Sequence, residues 1–135
     1  MGQNVVRTFH RGAPGSTGPC TPGETNLCLN QGRFRIEVDW REFQGGTGPG
    51  RTVSFATDDS GLFWFFRDAN WEQLVKVIDG CAMNGRYWVF AAAPTNVEYT
   101  LRVTDTESGD MVEYFNPLGR PAKAIGDTDA FALCP

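Results

Sequence analysis

Residues 61–80 carry the densest apolar material in the chain and read Gly-Leu-Phe-Trp-Phe-Phe-Arg-Asp-Ala-Asn-Trp-Glu-Gln-Leu-Val-Lys-Val-Ile-Asp-Gly. Residues 62–66 are five consecutive apolar side chains, which is short for a helix and typical of a strand buried on both faces. Residues 74–78 are rich in β-branched side chains and are interrupted only by Lys76. The polar segment between the two runs predicts a short turn. We therefore expect two paired strands around which the remaining strands pack.

Outward from this pair, the chain alternates between polar and apolar residues in a way that indicates further strands. Residues 33–40 and 97–104 alternate strictly, which is the pattern of a half-buried antiparallel strand. The chain of 135 residues contains 16 Gly and 8 Pro, which favours many turns and short strands. We expect one all-β domain, an immunoglobulin-like antiparallel β-sandwich of about seven strands.

The other segments complete this expected sandwich. Residues 51–56 and 111–115 are predicted strands, and residues 86–92 are a predicted strand with apolar residues on both faces. Residues 44–50 predict a flexible loop, and residues 127–131 predict one more strand near the end. Residues 1–19 form an N-terminal extended arm and linker, and residues 20–135 form the sandwich domain.

Charge is distributed unevenly along the chain, whose formal net charge is −4. Residues 1–19 carry Arg7 and Arg11 and no acidic residue, which gives +2. The remainder has 10 basic and 16 acidic residues, which gives −6. An acidic body argues against nucleic acid as a partner, because phosphate binding requires a basic face. The basic arm is suited to docking on an acidic body, either its own or that of a neighbouring subunit.

The arm is the predicted connector for assembly. A strand added by the arm to the sheet of a neighbour would build an oligomer or a fibre. The residues that would form this strand are Gln3, Asn4, Val5, Val6, Arg7, Thr8 and Phe9.

Four cysteines in a small, turn-rich β protein indicate two disulfides and an oxidising compartment. Cys20 and Cys28 flank a short loop containing Pro and Gly, so we expect them to pair, which leaves Cys81 with Cys134. Three connectivities are compatible with the sequence. A zinc site is disfavoured because no Cys-x-x-Cys spacing occurs. With no apolar run of membrane-spanning length and no signal segment, we expect a secreted protein whose export signal is absent from this chain.

Few residues indicate chemistry. The single histidine, His10, lies in the arm where nothing orients it, so we expect no catalytic residues and a protein that is not an enzyme. Calcium is the one candidate cofactor, because oxygen-rich loops of a sandwich can converge on it, although such residues are also ordinary in turns. The candidate ligands are Asp58, Asp59, Asp105, Glu107, Asp110, Asp127 and Asp129.

The four tryptophans suggest either core packing or a binding surface. Trp64 and Trp88 lie within apolar runs, which favours the core. Trp71 lies in the polar turn that contains residues 68–70, and it is the best candidate for an exposed indole that stacks on a ligand or mediates assembly.

Several short motifs carry a family resemblance that covers Cys20 to about Phe131. In order they are Leu27-Cys28-Leu29, Gly32-Arg33-Phe34, Gly61 with Phe63-Trp64-Phe65-Phe66, Lys76-Val77-Ile78-Asp79-Gly80, Trp88-Val89-Phe90, Tyr99-Thr100-Leu101, Val103-Thr104-Asp105-Thr106, Gly109, Tyr114-Phe115-Asn116-Pro117 and Asp127-Thr128. Together they resemble an uncharacterised bacterial domain of predicted exported proteins, often found beside secreted enzymes or other β-sandwich modules. The resemblance implies no activity. Cys81 and Cys134 depart from the common pattern, which fits an extra disulfide particular to this protein.

These observations predict a non-enzymatic extracellular β-sandwich module that acts in binding or self-assembly, as a homo-oligomer or with another extracellular protein. The alternative is a carbohydrate-binding accessory domain of a secreted enzyme, with a glycan bound at Trp71. Neither nucleic acid binding nor membrane insertion is expected.

Overall fold

The structure, a computed structural model, describes residues 5–134 and consists almost entirely of β-strands. The one helix within this described range, α1, is a single turn over Cys81–Asn84. The strands are β1 Val6–His10, β2 Leu27–Leu29, β3 Phe34–Arg41, β4 Thr47–Pro49, β5 Arg51–Thr52, β6 Ser60–Trp64, β7 Trp71–Gly80, β8 Arg86–Ala92, β9 Glu98–Asp105, β10 Met111–Asn116 and β11 Ile125–Phe131.

The strands form two antiparallel sheets that pack face to face. The first sheet has the order β1-β10-β9-β3-β2, with the short strand β4 also paired to β3. The second sheet has the order β11-β8-β7-β6-β5. The all-β antiparallel sandwich expected from the sequence is confirmed. Residues 5–134 form eleven strands instead of the expected seven or so, because very short strands such as β2, β4 and β5 lack the length over which alternation can be recognised in sequence.

Residues 61–80 contribute most of β6 and all of β7, which pair antiparallel as expected. The expectation that residues 62–66 are buried on both faces is wrong. Phe63 and Phe65 are buried between the sheets, whereas Trp64 is partly exposed and Phe66 is 46% exposed. The apolar run therefore has an inner and an outer face, because only one side of the sheet is covered by the other layer.

The same correction applies to β8. Tyr87 and Val89 point into the core, while Trp88 and Phe90 lie on the outer face and are partly exposed. The placement of Trp64 and Trp88 in the core was therefore wrong. Both indoles lie on the outer face of the second sheet, where the apolar sequence run concealed the alternation of strand side chains.

Two loop predictions also change. The loop predicted over residues 44–50 contains β4, which pairs with the end of β3. The strand predicted over residues 51–56 is reduced to the two residues of β5. The additional strand predicted near the end is confirmed as β11, which pairs with β8.

Two disulfides join Cys20 to Cys28 and Cys81 to Cys134. These are the pairs expected among the three connectivities that the sequence left open. The first closes the loop that leads into β2. The second ties the segment beyond β11 to the helical turn between β7 and β8.

Candidate functional site

The N-terminal arm forms strand β1 at the edge of the first sheet of its own chain. Its five residues pair antiparallel with β10, from Val6 opposite Phe115 to His10 opposite Met111. All five β1 residues are exposed. Of the residues predicted to form the assembly strand, Val5 to Phe9 lie in or next to β1, and Gln3 and Asn4 lie outside the described residues.

One polar cluster anchors the arm to the opposite sheet. The Oδ2 atom of Asp127 on β11 accepts hydrogen bonds from Arg7 Nε at 2.7 Å and from the Tyr114 hydroxyl at 2.6 Å. Arg7 also donates to the backbone carbonyl of Asp129 at 3.2 Å. Burial raises the pKa of Tyr114, and its hydrogen bond to Asp127 raises it further. The cluster joins β1, β10 and β11 and closes the sandwich along this edge.

The linker after β1 is held mainly through backbone contacts. Gly12 N–H donates to Asp110 Oδ1 at 2.9 Å, and Arg35 Nη2 donates to the carbonyl of Pro19 at 3.1 Å. A Cβ atom on Gly12 would lie 1.9 Å from the carbonyl oxygen of Gly109, so only glycine permits this approach. Few apolar side chains contribute, and the linker is attached far less strongly than a core strand.

Trp71 is exposed as expected from the sequence, with 47% of its surface accessible. It is the first residue of β7 instead of part of the preceding turn. The indole N–H donates to the carbonyl of Asp68 at 3.2 Å, and the ring of Phe55 packs edge-on at 5.3 Å. These contacts hold the indole in one orientation while leaving part of its surface free for a ligand.

The calcium candidates are not gathered into one site. No group of three or more His, Cys, Asp or Glu side chains suited to a metal ion occurs among residues 5–134. Asp58 accepts two hydrogen bonds from Gln31, and Asp110 accepts one from Gly12. Asp127 and Asp129 instead pair with Arg7 and Arg86. Asp59 and Glu107 are exposed in separate turns.

Asp105 is the most enclosed of these acids and serves an ion pair. Its carboxylate is fully buried and accepts from Arg33 Nε at 3.0 Å, from Arg33 Nη2 at 2.9 Å and from Ser108 Oγ at 2.9 Å. Arg33 also donates to the carbonyl of Leu133 at 2.7 Å and lies 4.7 Å from the ring centre of Tyr87. This arginine links the first sheet, the second sheet and the chain end.

Glu72 is a buried acid that the sequence analysis did not identify. It is 6% exposed, lies where the pairing of β6 and β7 shifts register, and accepts a hydrogen bond from Asn70 at 2.9 Å. Burial raises its pKa above the ordinary value of 4.5, and a hydrogen bond with Thr95 opposes this rise. It forms no salt bridge within the described chain. No sequence signal marks it, because Glu72 follows a segment that resembles a polar turn.

The fold and the two cystine bridges define this protein as a disulfide-linked, all-β antiparallel sandwich with an N-terminal edge strand. Comparison with protein-family models, curated proteins and solved structures found no match. Among residues 5–134, no helix has the length and apolar character needed to cross a membrane.

Proposed function

We propose that this protein is a non-enzymatic extracellular module of an exported bacterial protein and that it assembles by exchanging strand β1 between copies. Two disulfides support an oxidising compartment. The observation that carries the proposal is the edge position of β1, with every residue exposed and a glycine- and proline-rich linker behind it. A neighbour's arm can make the same contacts with β10 that the chain's own arm makes.

The acceptor for such an exchange is the edge of β10. Val112 and Tyr114 are buried with the arm in place and lie opposite Phe9 and Arg7. Withdrawal of the arm would uncover these side chains and a row of backbone hydrogen-bonding groups, which pair readily with another strand. The acceptor edge therefore favours an occupied state, whether its strand comes from the same chain or from another.

The linker sets the balance between the closed monomer and exchanged assemblies. Its nine residues between β1 and Cys20 span at most about 30 Å when extended. Such a tether gives the chain's own arm an effective concentration on the order of millimolar at β10. The arm of another copy therefore competes with the chain's own arm for β10 when modules are crowded, as in a fibre or on a surface. In dilute solution the monomer whose own arm occupies β10 dominates.

Site-specific cross-linking tests this proposal directly. Thr8 lies opposite Glu113 on the outer face of the first sheet. A Thr8→Cys protein mixed with a Glu113→Cys protein at near-millimolar concentration should give a disulfide between chains, because exchange places the two thiols on facing strands. A Thr8→Cys protein mixed with a Glu37→Cys protein is the control. Glu37 lies in the same cross-strand row as Glu113 but on β3, two strands away from β10, so an exchanged arm on β10 would not face it.

Equal cross-linking in both mixtures, or none in either, would contradict strand exchange. Removal of residues 1–19 provides the second readout. The truncated protein should not form particles of the size that the full chain forms at the same concentration, because no arm is left to occupy β10 of a neighbour. An unchanged particle size after truncation would show that the arm is not the connector.

A second function, glycan binding at Trp71 by an accessory domain, is favoured by the fixed and half-exposed indole. Trp71→Ala should abolish binding on a glycan array while leaving the fold intact. Phe43→Ala is the matched control, because Phe43 is 58% exposed and contacts neither Trp71 nor Phe55 in any ring pair. Equal loss in both variants would argue against a specific site.

A further inference from the structure

The contacts that hold the N-terminal arm continue beyond β1 into the linker. The N–H of Ser16 donates to the carbonyl of Ala13 at 3.1 Å, which closes a tight turn over residues 13–16. Proline at the second position and a glycine with positive φ at the third favour such a turn. From Thr17 onward the chain instead contacts Arg35 on β3. We call residues 5–16, which comprise β1 and this turn, the docking segment.

Two glycines allow this turn to approach the connection between β9 and β10. Gly109 lies in that connection with a φ of +82°, and a Cβ atom on it would collide with the backbone of Ala13 and lie 2.7 Å from Ser16 Oγ. A Cβ atom on Gly12 would in turn collide with the carbonyl group of Gly109. The two backbones therefore pack directly against each other. The N–H of Gly12 donates to Asp110 Oδ1 at 2.9 Å, which fixes their alignment.

The connection that receives the turn is held in place by its own hydrogen bonds. The N–H of Asp105 donates to the carbonyl of Asp110 at 2.8 Å, and the N–H of Gly109 donates to the carbonyl of Asp105 at 2.7 Å. The Asp105 carboxylate is fixed by Arg33 and Ser108, and Ser108 Oγ accepts from the N–H of Asp110 at 3.1 Å. A surface that its own contacts fix in the binding shape loses little conformational entropy when a segment docks.

Arg7 fixes the other end of the docking segment. Its Nε donates to Asp127 Oδ2 at 2.7 Å, and its Nη2 donates to the carbonyl of Asp129 at 3.2 Å. Arg7 and Gly12 are separated by about 17 Å of extended chain. A slip of two residues along β10 is the smallest shift that keeps each side chain on its face of the sheet, and it would move both residues about 7 Å from their partners. The two fixed points therefore define a single register.

We propose that β10 and the Gly109 connection recognise the docking segment as one unit, and that Arg7 and Gly12 are its specificity-determining residues. A strand from another chain fits this site when it carries an arginine and, five positions later, a glycine that leads into a tight turn. A second copy of this chain meets that requirement, whereas a strand with a larger residue in place of Gly12 would collide with the Gly109 backbone. Docking within one chain stands on the contacts above, and docking on another copy rests on the strand exchange proposed for this protein.

Hydrogen–deuterium exchange of the full chain in dilute solution tests the unit within one molecule. In Gly12→Ala the amides of β1 should exchange with solvent at least about tenfold faster, because the turn no longer holds the end of the strand. Arg11→Ala is the matched control, since Arg11 is exposed and adjacent to Gly12 and its replacement leaves both glycines in place. Equal rates for β1 in the wild type and in Gly12→Ala would overturn the inference.

A synthetic peptide of residues 5–16 that carries Thr8→Cys tests recognition of a separate strand by the full-length Glu113→Cys protein. At millimolar concentration it should compete with the protein's own arm and form a disulfide with the protein. Gly12→Ala in the peptide should lower the cross-linked yield about tenfold, and Arg11→Ala should leave it unchanged. Gly12→Ala in the protein should instead raise the yield, because the protein's own arm then leaves β10 more often. The same substitution therefore has opposite effects in the two partners.

The docking segment and strand exchange can fail separately. No disulfide with the unaltered Thr8→Cys peptide, or equal yields with and without Gly12→Ala in that peptide, would overturn the recognition inferred here. If the peptide and hydrogen-exchange results are as expected but whole Thr8→Cys and Glu113→Cys chains do not cross-link, the docking segment is supported and strand exchange between copies is refuted. If whole chains cross-link while Gly12→Ala changes neither measurement, strand exchange is supported and the role of Gly12 is refuted.

Discussion

Replacement of Asp105 by Asn is the sharpest perturbation of the sandwich. Asp105 is fully buried and accepts two hydrogen bonds from Arg33, one from Ser108 and one from the backbone N–H of Glu107. The Asn side chain preserves the shape, removes the negative charge and replaces one acceptor with a donor. The guanidinium of Arg33 is then left largely buried beside a neutral group, and it keeps the Leu133 carbonyl at 2.7 Å and the exposed Glu107 carboxylate at 3.7 Å as partners.

The expected cost follows from the loss of the buried carboxylate that balances the charge of Arg33. Removing one member of a buried ion pair typically costs about 3–5 kcal/mol, far more than a surface salt bridge. Asn retains one oxygen that can accept a hydrogen bond from Arg33, so we expect a loss of unfolding free energy at the lower end of this range, about 3 kcal/mol. With a urea slope of about 1.5 kcal/mol per molar for a domain of this size, the unfolding midpoint should fall by about 2 M.

The pH dependence gives an independent check. Burial alone would raise the pKa of Asp105, but hydrogen bonds from Arg33, Ser108 and the Glu107 backbone outweigh it and hold the pKa below the ordinary 3.8. The stabilisation is therefore fully present above the unfolded-state value and is lost as pH falls through the folded-state pKa. The difference between wild type and Asp105→Asn should be greatest at neutral pH and should shrink below pH 3.8.

Urea unfolding followed by tryptophan fluorescence, at pH 7 and in acid, measures both effects. Glu107→Gln is the control, because its side chain is 68% exposed and lies 3.7 Å from Arg33, so its stability should stay within about 0.5 kcal/mol of wild type. A loss below about 1 kcal/mol for Asp105→Asn at pH 7, or a loss that does not change with pH, would refute the assigned role of the ion pair.

Two further predictions concern stability. Glu72→Gln should raise the melting temperature at pH 7, because burial raises the pKa of Glu72 and folding therefore disfavours its charged form. This gain in melting temperature should disappear as the pH falls below 4.5. A lower melting temperature of the variant at pH 7 would contradict the prediction. Replacing both Cys81 and Cys134 by Ser should lower the free energy of unfolding by about 4 kcal/mol, and replacing Cys20 and Cys28 should lower it by about 2.5 kcal/mol. The difference arises because the two bridges close loops of 53 and 8 residues, so they restrict the unfolded chain to different extents. Denaturant titrations that reverse this order would contradict the prediction.

The strands that could be predicted were those with polar residues on one face. Residues 33–40 and 97–104 became β3 and β9 with small shifts at their ends, because strict alternation can arise only where one face is solvated. Residues 62–66 were misinterpreted since an apolar outer face has the same local pattern as a second buried one. Whether another layer covers that face depends on packing between distant segments.

The candidate sites also differ in whether local sequence or contacts between distant segments determine them. Exposure of Trp71 was predictable, because a polar turn precedes it and local context governs access to solvent. The contact of Arg7 with Asp127 was not, since these residues are 120 positions apart and meet only when β1 and β11 lie at the same edge. The placement of Trp64 and Trp88 on one outer face of the second sheet required the register of β6, β7 and β8.

The all-β sandwich could be predicted from the amino-acid sequence, because period-two patterning, turn residues and the lack of helix-forming runs are local properties. The number of cysteines also indicated two disulfides. The cysteine pairing, the sheet edge that receives the arm and the side chains on each outer face became known from the three-dimensional structure alone. These depend on strand order and register, which arise from contacts between residues far apart in the chain.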